Sequence, residues 1–288
     1  IIDENGNEMK NPKYDKIIAG KKAFLNTSFF IIRSIIYIIG WIYFGRKLKQ
    51  LSINEDKHGG LDNYNKGFRT SAWFMVFFAI TSSVASWDWI MSIDTHWFST
   101  LFGWYIFSEW AVIGFVAILL ITLYLKRLGY LEHVNESHIH DLGKYVFAFS
   151  LVWTYMWFSQ FMLIWYSNIP EEVTYFISRI EDYNLPFFGM LVMNFIFPLL
   201  ILMNSDYKRI NYFIVMAGIV IILGHYMDVF NMIMPSAVGD KWFIGVPEIG
   251  GFFFFLGLFV FIVFKELTKA PLLTTGDPYI EESKNFHY

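Results

Sequence analysis

Seven stretches of this chain are long and apolar enough, or nearly so, to cross a lipid bilayer: residues 23–44, 70–92, 97–125, 143–166, 187–204, 211–233 and 249–264. A hydrocarbon core about 30 Å thick takes roughly 20 apolar residues of helix, so runs of this kind leave few other folds open. The connections between them are polar and carry helix breakers. Asp56–Gly60 separates the first two runs, Pro170 follows the fourth, Pro186 precedes the fifth, and Pro235 and Pro247 flank the loop after the sixth. No alternating pattern in segments of about ten residues recurs, which argues against a β-barrel. The expected fold is an all-α polytopic membrane protein with seven transmembrane helices. Its transmembrane domain covers 23–266, between an N-terminal extramembrane stretch at 1–22 and a tail at 267–288. The stretch and the last part of the tail (271–288) read as extended. Segment 170–186, charged and apolar by turns between two prolines, reads either as an amphipathic interfacial helix or as a packed extramembrane loop.

Composition supports the membrane reading. Hydrophobic residues are 56% and charged residues 16%, against roughly 45–50% and ~25% in soluble domains. A net charge of −3 gives no electrostatic case for nucleic acid. There is no cysteine, which excludes a c-type haem attachment, a thiolate-held iron–sulfur cluster and any disulfide. Of the seven histidines only His225 lies within an apolar run and His96 borders one. Bis-histidine b-haem needs facing pairs at membrane depth, so the pattern argues against it. Metal centres serving this chain in electron transfer would belong to partners.

Basic residues set the expected orientation. The loops after the first, third and fifth runs, with the tail and adjoining turns, hold 14 Lys and Arg, and the opposite side holds 7. The richer side is expected in the cytoplasm, which puts the C-terminus inside and residue 1 outside. The chain opens Ile1-Ile2-Asp3 without an initiator Met. The favoured expectation is that an odd number of further spans precedes it, with cleavage of a signal sequence as the rival.

An ionisable residue at membrane depth costs at least about 2.5–3.5 kcal/mol on insertion scales and needs a reason. Asp88 lies near the end of the second run, and Asp94 and His96 lie in the turn that follows. Glu109, thirteen residues past His96, is expected about 20 Å into the third span. His225 and Asp228 share one helix face at i, i+3 near the outer end of the sixth. A carboxylate in a low-dielectric setting takes up and releases protons near neutral pH. Asp88, Asp94, His96, Glu109, His225 and Asp228 are therefore candidates for an outward-facing proton half-channel. The alternative is that Asp88 and Asp228 pair with basic or amide partners and fix helix packing. As a metal site His225 and Asp228 lack a third ligand, so none is assigned. The fourth span is rich in aromatics, with Trp153, Trp157 and Gln160 offering flat walls and one polar donor. These could flank a quinone ring, or simply pack against neighbouring helices.

Several runs resemble one family. They are Tyr14-Asp-Lys-Ile-Ile-Ala-Gly-Lys-Lys-Ala-Phe-Leu-Asn26, Ser86-Trp-Asp-Trp-Ile-Met-Ser-Ile-Asp-Thr-His-Trp-Phe-Ser-Thr-Leu-Phe-Gly103, His138-Ile-His-Asp-Leu-Gly-Lys144, the run from Phe158 to Tyr175, and Gly224-His-Tyr-Met-Asp228. Across essentially the whole chain the sequence resembles the second NrfD-like membrane subunit (polysulfide-reductase membrane-subunit type, the ActF family) of bacterial alternative complex III, the respiratory quinol:cytochrome c oxidoreductase. That resemblance implies about ten transmembrane helices including two four-helix bundles, and hence three helices ahead of the seven found here. It implies a place in the bacterial inner membrane. It also implies, as partners, a paralogous NrfD-like subunit carrying the main quinol site, iron–sulfur and c-type cytochrome subunits on the periplasmic side, small membrane subunits, lipids and a terminal cytochrome oxidase. The chain itself would hold no haem or iron–sulfur cluster, with quinol or menaquinol its one candidate ligand. The six proton-path candidates above would match the family's proposed proton route.

Three functions are expected in descending order: a redox-complex subunit serving as scaffold and proton route; a direct quinol site, with Asp88 or His96 taking the hydroxyl proton; and a secondary transporter. Transporters favour helices interrupted near mid-bilayer. Here the prolines flank the runs, apart from Pro198 late in the fifth.

Overall fold

A computed structural model describes residues 14–287. It is all-helical, with no strand among the described residues. The long helices are α2 (Thr27–His58), α3 (Leu61–Trp89), α4 (Phe102–Arg127), α5 (Glu136–Ser167), α9 (Asn211–Val238) and α10 (Val246–Leu267). Shorter helices are α1 (Lys16–Lys21), α6 (Pro170–Glu181), α7 (Asn184–Leu191), α8 (Phe197–Leu202) and α11 (Ile280–Lys284). A π-helical turn, Val192–Ile196, joins α7 to α8 in one continuous helical segment. That segment and the six long helices are each long and apolar enough to cross a membrane. The chain is a multi-pass helical membrane protein.

Local chemistry accounts for the boundaries. Asn26 caps α2 by accepting the Phe29 amide at 3.0 Å, and Asn135 caps α5 in a reciprocal box with His138. Gly59 and Gly60 have φ of 64° and 80°, left-handed backbone that other residues rarely adopt, and they turn α2 into α3. The first helix thus runs well past the apolar stretch that ends at residue 44. Its 32 residues would be about 48 Å long, more than a bilayer core.

Both chain ends differ from the extended reading. Residues 1–13 lie outside the described residues, but 16–21 form α1, capped by Asp15. The tail is docked, because the Thr275 and Gly276 amides both donate to Asp56 Oδ1 at 2.8 Å and Asn135 Nδ2 donates to the Phe286 carbonyl at 2.6 Å. Polar backbone that finds fixed acceptors on neighbouring helices has no reason to stay extended.

Helices α4, α5, α7–α8 and α9 form a four-helix bundle around the buried core of Ile106, Val112, Val116, Trp153, Met190 and Ile221. The α2–α3 hairpin packs on α4, and α10 lies outside with no buried residue. Two features set the register inside the bundle. A Cβ on Gly218 would come within 3.2 Å of Val116 and Leu120, so the missing side chain lets α9 approach α4. Pro198 cannot donate to the carbonyl four residues back, that of Asn194, and the chain widens there into the π turn. The turn seats Asn194 against Gly224, where an added Cβ would lie 2.1 Å from Asn194 Oδ1.

Candidate functional site

The closest approach of α4 and α9 determines the centre of the bundle. Seven residues back from Val116 on α4 is Glu109, and seven residues on from Gly218 on the antiparallel α9 is His225. Two turns from the Gly218 contact, these side chains meet with Glu109 Oε1 3.8 Å from His225 Nδ1. Both are 1% exposed. Neither Glu109 oxygen and neither His225 ring nitrogen has a hydrogen-bond partner. Because α4 begins at Phe102 rather than near 97, Glu109 lies seven residues, about 10 Å, into the helix rather than 20 Å. Residues 97–101 are instead a turn whose Trp97 side chain is buried in the core.

One turn past His225, Asp228 is equally buried but fully engaged. Tyr105 Oη donates to its two oxygens at 2.5 and 2.6 Å, and Trp153 Nε1 donates to Oδ2 at 3.0 Å. Tyr105 is four residues before Glu109 on α4, so one helix face carries both groups. The Trp153 ring stands edge-on to His225 with centroids 5.3 Å apart. Glu109, His225 and Asp228 each offer a ligand atom within 4.8 Å of the others. The third ligand that α9 lacks on its own thus comes from α4, though Asp228 has already committed most of its lone pairs.

The remaining candidates lie elsewhere. Asp88, at the end of α3, forms a bidentate pair with Arg33 of α2 (Nη2–Oδ1 2.6 Å, Nε–Oδ2 2.9 Å) and accepts Tyr37 Oη at 3.0 Å. The guanidinium lies between the rings of Phe24 and Phe29. With three donors on its two oxygens, Asp88 fixes the α2–α3 hairpin. His96 is exposed and its Nε2 meets Asp15 Oδ2 at 2.6 Å, which with the Ile18 amide holds the Asp15 carboxyl below its usual range. Asp94 accepts the Trp97 amide at 3.3 Å, and Lys21 of α1 donates to the Thr95 and Trp97 carbonyls. Burial pulls the Lys21 ammonium down from its usual range, opposed by the charges of Asp94 and Asp15. Asp94 and His96 thus dock α1 and do not join the central cluster.

The expected aromatic wall also divides. Trp153 belongs to the Asp228 cluster, while Trp157 stacks on Phe161 with centroids 6.0 Å apart. Trp157 and Gln160 line a cavity with Tyr105, Tyr175, Arg179, Asp228 and Asn231. Its volume is ≈ 10 Å³, room for about one water and none for a quinone ring.

Tyr105, Arg179, Tyr175 and Asn194 were not singled out in the sequence. Arg179 is 2% exposed, lies 3.3 Å from the Tyr175 ring centroid and donates to the Tyr175 and Met232 carbonyls. Tyr175 also stacks on Trp97 at 3.9 Å, and burial raises its hydroxyl pKa. The spacing of Tyr105 from Glu109 was the one readable signal among these. Comparison with protein-family models and with curated proteins finds no match.

Proposed function

We propose that this chain is a membrane subunit of a respiratory quinol:cytochrome c oxidoreductase of the alternative complex III type. On this reading it carries no redox centre and serves as scaffold and proton route. The Glu109–His225–Asp228 cluster is its proton-handling centre. Quinol oxidation lies with a paralogous membrane subunit, and electrons pass to iron–sulfur and c-type cytochrome subunits on the periplasmic face. The C-terminus lies in the cytoplasm, and α4, α5, α7–α8 and α9 are the second of two four-helix bundles in a ten-helix fold. The α2–α3 hairpin is then half of the first.

One observation carries the proton role: Glu109, buried at the bundle centre, has both oxygens unpartnered, with His225 Nδ1 3.8 Å away. A carboxyl that swings from this position into hydrogen-bond reach of the imidazole can pass one proton to it, and a purely structural pair would be hydrogen-bonded already. The sequence runs resembling the family support the wider assembly. The transporter reading has one feature in its favour, the π turn beside Pro198. Asn194 fills that turn by packing on Gly224, so the interruption serves packing there.

Affinity purification of the tagged chain from its native membrane tests the assembly. The expected result is co-purification of haem-staining c-type cytochrome and an iron–sulfur protein, with quinol:cytochrome c activity. A chain recovered alone, or with transport activity and no haem, overturns the reading.

A further inference from the structure

Three residues that line the small cavity beside Asp228 each carry one buried polar atom without a partner: Gln160 Oε1, Arg179 Nε and Asn231 Oδ1. Bonds elsewhere orient two of these side chains, Asn231 and Arg179. Asn231 Nδ2 donates to the Pro186 carbonyl at 3.1 Å, which leaves its Oδ1 as the free end. Arg179 Nη1 donates to the Tyr175 carbonyl and Nη2 to the Met232 carbonyl, while its Nε–H has no partner. Two acceptors and one donor match what one water satisfies, since it donates twice and accepts once with a lone pair to spare. The fourth polar wall is the Asp228 carboxyl with the Tyr105 hydroxyl upon it.

We infer that this cavity is a binding site for a single water, held by Gln160, Arg179 and Asn231. Through it the Asp228 side of the cluster exchanges protons with the side covered by α6. An unsatisfied buried polar atom costs more than a bridging water costs in lost mobility, so occupancy is favoured at all three. The surrounding wall is apolar, formed by Phe176, Phe187, Met190 and Met232, so the water has few other partners. The guanidinium beside it disfavours a resting hydronium, so the water passes a proton on and the carboxyls store it. The water site stands on the orphaned atoms alone. Its role in exchange rests on the proton reading above.

The test uses the intact membrane complex in lipid nanodiscs, imaged at a resolution that shows ordered water, with proton release measured in sealed vesicles. A peak within hydrogen-bonding distance of Gln160 Oε1, Arg179 Nε and Asn231 Oδ1 is expected. Its absence, with those side chains clearly resolved, overturns the site. Asn231→Leu should remove the peak and slow proton release about tenfold, the rate equivalent of one lost hydrogen bond. Gln160→Met, which keeps the Asn231–Pro186 bond and the side-chain length, should do the same and serves if the first variant fails to fold. Loss of the peak with an unchanged rate overturns the exchange role. If Glu109→Gln also leaves release unchanged, the proton reading itself falls, while the peak still decides the water site.

Discussion

Glu109 and His225 face each other across the α4–α9 interface with 3.8 Å between Oε1 and Nδ1, beyond hydrogen-bond length. Asp228, one turn along the same helix, is instead clamped by Tyr105 and Trp153. The two carboxyls of one cluster therefore differ in freedom: one is fixed in place and the other can move. A mobile carboxyl beside an imidazole is the arrangement a proton carrier requires, and the clamped partner stays in place while it moves.

The Arg33–Asp88 pair makes a separate prediction, because it is buried, bidentate and further bonded by Tyr37. Asp88→Leu or Arg33→Met alone should destabilise the protein by about 3–5 kcal/mol, since each leaves one uncompensated buried partner. Removing both, as Arg33→Met with Asp88→Leu, should recover much of that loss. Thermal unfolding of the four proteins in detergent measures the cycle, and proton release in the folded double variant should match the wild type.

The contact between Asn194 and Gly224 predicts a steric effect. Gly224→Ala places a methyl where Asn194 now sits and should cost about 1–3 kcal/mol by overpacking. Combining it with Asn194→Ala should restore part of the loss. Additive losses would mean that the π turn does not seat Asn194 against α9.

Docking of α1 should depend on pH. The folded-state pKa of Asp15 is lowered by its hydrogen bonds to His96 and the Ile18 amide. Its contribution is therefore full above the ordinary value of 3.8 and is lost as pH falls through the lower folded value. Hydrogen exchange at the Ile17 and Ile18 amides, which donate to Asp15 Oδ1, should stay slow at pH 5 and quicken only below pH 3.8. Asp15→Asn should remove that pH dependence.

Much of the fold was readable because apolar length is a local property. Every apolar run lies within or across a helix, and the breakers at Gly59–Gly60 and Pro170 fall at real boundaries, whereas Pro186 and Pro235, expected in connections, lie inside α7 and α9. The helix ends were less legible: the second half of α2 and both chain ends are polar segments whose structure depends on distant partners such as Asp56 and Asn135. Glu109, His225 and Asp228 stood out singly as ionisable residues in apolar runs. Their meeting depends on Gly218 admitting α9 to α4, which no single run reveals. Arg33 lies within the first apolar run, but its match with Asp88 across 55 residues follows only from the way the hairpin closes. Arg179, within the charged and apolar segment 170–186, is a buried plug, which its sequence neighbours do not show.

The central claim is that Glu109 carries protons. Its most direct test is Glu109→Gln in the intact complex reconstituted in sealed vesicles, with quinol oxidation and proton release followed together. The substitution keeps size and polarity and removes only the exchangeable proton. We predict quinol oxidation near the wild-type rate in uncoupled vesicles and proton release per quinol clearly reduced. Unchanged release at unchanged turnover would contradict the account and leave the cluster a packing feature.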